Sequence, residues 1–197
     1  MTTILYLHGF LSSSQSAKAQ QTLNYANQQH PDVNVLIPQI PNIIDIAVNY
    51  LEKLIETHFI QQSKPILCIG SSMGGFLSHW LIEKYASMPG CKAVLVNPAV
   101  APHLLMQDYL GEHTNPYSQQ RFVIDAEQIQ ILRQLEPSYI SDPSRYKVML
   151  QSGDEVLDYQ LAVALYQGAD IQVERGGDHS FVGYDQHLSD VFRFLLG

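Results

Sequence analysis

Short runs of mostly apolar residues alternate along this chain with longer stretches in which apolar residues recur every third or fourth position. The first kind are Thr3 to Leu7, Val33 to Ile37, Ile66 to Ile69, Ala93 to Val96, Lys147 to Leu150 and Asp170 to Val173. Runs this brief, with little polar alternation, suit strands covered on both faces, as in a parallel sheet. Between them a helix is expected to begin near Gln15, after a turn containing Ser12, Ser13 and Ser14 that is able to cap it. Beyond the stops at Pro38 and Pro41, the residues Ile43, Ile44, Ala47, Leu51, Leu54 and Ile55 form a helical stripe. Phe76, Leu77, Trp80, Leu81 and Tyr85 form another, and further helices are expected from about Leu157 to Tyr166 and from about Asp185 to Leu196. The alternation predicts an α/β fold of about six mostly parallel strands with helices on both faces. The rhythm breaks once, over residues 101–146, where prolines, helical fragments and an aromatic-polar mixture read as a short helical lid inserted into a single domain of residues 1–197.

Composition narrows the partners. At 46% hydrophobic and 15% charged residues the chain has enough apolar content for one well-buried core, and no stretch resembles a disordered tail. Its net charge of -8, with eleven scattered Lys and Arg, argues against nucleic acid, which needs clustered cations. No run is long enough to span a bilayer and no basic-then-apolar leader follows Met1, so a cytoplasmic protein is expected. Cys68 and Cys91 read as small buried hydrophobes rather than a disulfide framework. No His, Cys, Asp and Glu spacing resembles a metal site, and no cofactor is expected.

The chemistry gathers around Gly70-Ser71-Ser72-Met73-Gly74, which follows a strand run and opens a helical one. This is the G-x-S-x-G pattern of a nucleophile elbow, a sharp turn that lifts a serine hydroxyl clear of the sheet. A serine needs a base to take its proton and an acid to hold that base in the right tautomer. His179, after Gly176-Gly177 and the last strand, is the candidate base. Asp154, just past the strand ending near Leu150, is the candidate acid, ahead of Asp158 and of Asp178 beside the histidine. Glu155 and Asp158 also fit the first turn of a helix, where carboxylates favour the macrodipole. The backbone N–H groups of Met73 and of Phe10, in His8-Gly9-Phe10 after the first strand, are placed to bind a developing oxyanion; His8 itself reads as structural. His8-Gly9, Ser72, Asn97, Asp154 and His179 all follow strands, so they are expected at one sheet edge, where ligands bind in such folds.

These residues resemble the YqiA-type small esterases of the α/β-hydrolase superfamily. The likeness covers nearly the whole chain and rests on Leu5-Tyr6-Leu7-His8-Gly9-Phe10, the elbow, Asn97-Pro98-Ala99-Val100, Asp108-Tyr109-Leu110-Gly111-Glu112, Asn115-Pro116-Tyr117, Gly153-Asp154-Glu155-Val156-Leu157-Asp158-Tyr159 and His179-Ser180-Phe181-Val182-Gly183. The resemblance implies a minimal α/β-hydrolase sheet lacking the first two strands, a triad of Ser72, Asp154 and His179, and esterase or thioesterase activity on acyl substrates. Leu104, Leu105, Met106, Tyr109, Tyr117 and Phe122 then either line an acyl pocket or simply pack onto the sheet. Lys18, Arg121 and Arg133 are available to a charged substrate. Two rivals use the same residues: a non-catalytic partner-binding module, which fold alone does not exclude, and an acyltransferase.

Overall fold

The computed structural model describes residues 1–197. In chain order its elements are β1 (Thr2–Leu7), α1 (Ala17–Gln29), β2 (Val33–Leu36), α2 (Ile44–Ile55), β3 (Leu67–Ser71), α3 (Met73–Lys84), β4 (Lys92–Val96), α4 (Pro102–Leu105), β5 (Gly111–Thr114), β6 (Arg121–Ile124), α5 (Ala126–Leu135), β7 (Tyr146–Gln151), α6 (Tyr159–Leu165), β8 (Asp170–Glu174) and α7 (Leu188–Leu196). Six strands form one parallel sheet in the order β2-β1-β3-β4-β7-β8. The chain first runs outward from β1 to β2, then crosses back over β1 to β3 and continues the other way. That reversal leaves a crevice beyond the carboxyl ends of β1 and β3.

Successive strand residues point to opposite faces, and each face has its own core. Leu5, Leu7, Cys68, Leu95, Val148 and Leu150 pack against α2, α3, α5 and α6. Ile4, Tyr6, Ile69, Val94 and Met149 pack against Ala19 and Ala26 of α1 and Leu188, Val191, Phe192 and Leu195 of α7. Because both faces are covered, the central strands need apolar residues at nearly every position. Cys68 and Cys91 are buried and unpaired, and burial pushes both thiols up from their ordinary range.

The segment over residues 101–146 differs from an all-helical lid. It pairs β5 with β6 as an antiparallel hairpin between α4 and α5. The turn is built by Asn115, fully buried, whose Oδ1 accepts the N–H groups of Tyr117 and Ser118. Its Nδ2 donates to Asn42 Oδ1 and Ser12 O, tying the hairpin to the loops after β2 and β1. On β6 the alternation buries Phe122 and Ile124 and exposes Arg121 and Val123. The serine-rich turn also departs from expectation. The helix starts at Ala17 with no side-chain cap, and Ser13 Oγ instead accepts the Gln15 N–H.

A polar cluster under α3 carries a pH consequence. His79, 1% exposed, shares a hydrogen bond through Nδ1 with the Tyr166 hydroxyl at 3.0 Å. Burial pushes the imidazole down to about 4, against the attraction of Glu83. A base whose folded pKa lies below its ordinary value contributes stability above the ordinary value and loses it as pH falls toward the folded one. The shift corresponds to about 3 kcal/mol. We therefore expect the urea midpoint to fall between pH 6.5 and 4, and His79→Gln, which keeps a polar partner for Tyr166 but does not titrate, to flatten that fall.

Candidate active site

Ser72 ends the link from β3 to α3 with φ 55° and ψ -120°, a backbone conformation that a residue with a Cβ rarely adopts. The flanking glycines serve close approach. A Cβ on Gly74 would stand 1.9 Å from Leu7 O, and one on Gly70 would stand 2.2 Å from Gly74 O. The elbow is thus pressed against the end of β1, and Gly9 faces Ser72 across it.

The structure brings three of the singled-out side chains into a line. His179 Nε2 lies 3.0 Å from Ser72 Oγ, and His179 Nδ1 lies 2.8 Å from Asp154 Oδ2 and 3.0 Å from Oδ1. The Asp154 side chain is 2% exposed and the His179 side chain 23%. Burial raises the Asp154 pKa, but hydrogen bonds from His179 and from the Leu157 and Val156 N–H groups outweigh it and hold the carboxyl below its usual range. The other acids are occupied elsewhere. Asp158 Oδ1 caps α6 through the Gln160 N–H, and Asp178 Oδ1 accepts from Ser180 N–H and Oγ–H.

The N–H groups of Phe10 and Met73 donate to no backbone acceptor. Beside them, His8 is held neutral in one tautomer. Its Nδ1–H donates to Gly9 O at 2.9 Å while Nε2 accepts the Ile40 N–H at 3.0 Å, and burial lowers its pKa despite the Gly9 contact. His8 therefore fixes the loop that presents Phe10.

Three residues that pattern reading did not assign to the site hold the His179 loop. Gln151, 3% exposed at the end of β7, accepts through Oε1 the N–H groups of Asp178 and Val182, and its Nε2 donates to Val182 O and Glu174 Oε2. Asn97, in left-handed backbone after β4, accepts the Gln151 N–H and donates to Asp178 O. Glu155 precedes α6 rather than starting it, and its Oε2 accepts the His179 N–H at 3.0 Å. The only prior signals were that Asn97 follows a strand and Glu155 neighbours Asp154; an amide at a strand end carries none.

Two cavities meet at Gly9 and Phe10. A polar cleft of about 570 Å³ is lined by Ser72, His179, Glu155, Lys18, Tyr117 and neighbouring hydroxyl groups. A smaller, apolar pocket of about 50 Å³ lies against Phe10, Met73, Leu77, Met106, Ile124 and Leu132. Leu104 and Leu105 are in neither. The single turn of α4 sets them over Pro98, Val156 and Leu161 in a separate groove, so they do not reach Ser72. Tyr109 and Phe122 pack edge-on against Phe10 instead of lining the cleft. Arg121 pairs with Glu112 on the surface, and Arg133 is exposed on α5. No three His, Cys, Asp or Glu side chains group as metal ligands do, and no helix is long and apolar enough to cross a membrane.

The fold is shared with solved α/β-hydrolase structures. A protein from Agrobacterium vitis S4 presumed to be a hydrolase superposes with a TM-score of 0.77 at 18% identity, covering 100% of this chain and 88% of its own. Mouse α/β hydrolase domain-containing protein 10 gives 0.70 at 16%, covering 95% and 86%. The esterase domain of a Rhodothermus marinus protein gives 0.64 at 17%, covering 98% and 85%. A family model matches residues 3–196, nearly the whole chain. With the α/β-hydrolase sheet in place and that match spanning it, the chain belongs to the uncharacterised protein family UPF0227, the family of the YqiA-type proteins that its motifs resemble.

Proposed function

We propose that this chain is a serine hydrolase that cleaves carboxylic esters or thioesters through an acyl-enzyme on Ser72. The observation that carries the reading is the continuous hydrogen-bonded line from Ser72 Oγ through His179 to a buried, ionised Asp154, set at a strained elbow beside two unbonded backbone N–H groups. Ser72 Oγ attacks the acyl carbon while His179 Nε2 takes its proton. Asp154 keeps the proton on Nδ1 and stabilises the imidazolium. The Phe10 and Met73 N–H groups receive the oxyanion. As the bond to the alcohol or thiol breaks, His179 returns the proton to the leaving group. Water then adds to the acyl carbon by the same route in reverse, releasing the acid and restoring Ser72.

The apolar pocket behind Phe10 and Met73 is the natural acyl site, with the 101–146 segment supplying its roof through Met106, Ile124 and Leu132. At about 50 Å³ it is far smaller than the pockets that take drug-sized ligands, so a short acyl chain suits it best. With p-nitrophenyl esters we expect kcat/KM to peak between acetyl and butanoyl and to drop about tenfold or more by octanoyl. Met106→Ala should move the peak to longer chains. The reading itself is tested by a fluorophosphonate label and mass spectrometry of the modified peptide. Label on Ser72 supports it; a protein inert to label and to every ester and thioester overturns it.

A further inference from the structure

One lysine and no arginine line the polar cleft. Lys18 lies in the first turn of α1, and its Nζ donates to Ser180 O at 2.6 Å, one residue beyond His179. No carboxylate lies within ion-pair distance of it, although Asp178 and Asp154 are near enough to favour its charge against the burial that lowers its pKa. One of its three N–H groups is used, and two remain for the cleft. The same cleft is lined by the neutral polar groups Ser12, Ser16, Gln21 and Tyr117, and its one acidic side chain, Glu155, accepts the His179 N–H. The first turn of α1 carries no acidic residue and no side-chain cap, which leaves the positive end of the helix at the same cleft.

The reaction assigns a side to each half of the substrate. His179 must hand its proton to the leaving group, so the leaving group occupies the His179 and Ser180 side of Ser72, which is the Lys18 side. The acyl group goes the other way, past Phe10 and Met73. Resting on the hydrolase reading above, we infer that Lys18 is a specificity residue that selects esters whose leaving alcohol or thiol carries an anionic group, a carboxylate or a phosphate. Lys18 takes no part in bond making. It pairs with an anion already on the leaving group, at a position where a neutral substrate leaves two N–H groups to water. The net charge of -8 repels such substrates at long range, so the selectivity is local and operates in KM more than in kcat.

The test compares 4-acetoxybenzoate and 4-acetoxyphenyl phosphate with neutral 4-acetoxybenzamide as substrates of the wild type, Lys18→Met and Lys18→Arg. The readout is the ratio of kcat/KM for each anionic ester to that for the amide. Measured within one protein, it cancels any loss of folded fraction and any loosening of the Ser180 loop, both of which lower all three rates together. We expect the wild-type ratio to exceed one by about tenfold for at least one anion, to fall toward one in Lys18→Met, and to stay high in Lys18→Arg. The anion with the larger Lys18-dependent ratio identifies carboxylate or phosphate as the recognised group. A wild type without preference, or a ratio that survives Lys18→Met, overturns the inference while leaving the hydrolase reading intact. Inertness of all three esters together with absent fluorophosphonate label removes the hydrolase reading, and the inference with it.

Discussion

Ser72→Ala is expected to reduce ester turnover by about 10⁴-fold or more and to abolish fluorophosphonate labelling, with the fold intact. Removing Oγ leaves the Phe10 and Met73 N–H groups and the apolar pocket in place, so on the proposed reading substrate still binds and a small residual rate over water survives. The same position allows a sharper version. Ser72 sits at φ 55°, where a Cβ costs on the order of 1–3 kcal/mol. Ser72→Gly removes both the nucleophile and that strain, and the extra freedom of glycine in the unfolded chain returns about 0.5–1 kcal/mol of the gain. The glycine variant should therefore be as inactive as the alanine variant yet melt at the wild-type temperature or above it. A serine kept there only for packing would show the strain relief without the loss of rate, because the relief follows from the backbone conformation alone. Thermal unfolding of the two variants beside their residual rates checks both halves.

Much of the scaffold around that serine was legible because a parallel sheet with two covered faces leaves a plain trace. Ile4 to Leu7, Leu67 to Ile69 and Ala93 to Val96 are all buried, and a strand buried on both sides reads as an apolar run. The hairpin of residues 111–124 left almost none. Gly111-Glu112-His113-Thr114 is mainly exposed and has no apolar alternation, so its pairing depends on the Asn115 turn and on Phe122 and Ile124 reaching a core assembled from distant segments. Helix boundaries slipped for a local reason. Asp158 caps α6, which pushes Glu155 out of the helix and into the loop that carries His179.

The candidate site divides in a similar way. Ser72, Asp154 and His179 are residue types that announce chemistry and follow strands, so pattern and order single them out. Gln151 and Asn97 do not, because an amide is informative only through what surrounds it. Gln151 spans from β7 to both sides of His179, and a Cβ on Gly177 would collide with its side chain. That packing is a property of the folded loop alone. The apolar residues of the 101–146 segment were the least decidable, since core packing and pocket lining use the same side chains. Met106 and Ile124 border the small pocket, whereas Leu104 and Leu105 turn to a different groove one helical turn earlier.

Asp154→Asn should lower kcat/KM by about 10⁴-fold at neutral pH while leaving the position of His179 almost unchanged. The geometry decides how the amide must lie. Asp154 Oδ1 accepts two backbone N–H groups, from Val156 and Leu157, each at 2.9 Å. An asparagine has a single acceptor oxygen, and those two backbone donors claim it. Its NH₂ then falls at the place of Oδ2, 2.8 Å from His179 Nδ1, where the carboxylate had accepted a hydrogen bond. To receive a bond from that NH₂, Nδ1 must give up its proton, and the neutral imidazole then carries its hydrogen on Nε2. In that tautomer Nε2, 3.0 Å from Ser72 Oγ, donates where it has to accept, and the serine keeps its proton. The variant retains every backbone hydrogen bond of the turn, so the stability loss is confined to one charge-assisted bond, about 1.5–3 kcal/mol. The rate of fluorophosphonate labelling at Ser72 should fall in parallel with turnover, because both need the same proton transfer. Retention of more than about a tenth of the wild-type rate would show that Asp154 holds the loop without setting the tautomer, and would reopen the choice of orienting acid.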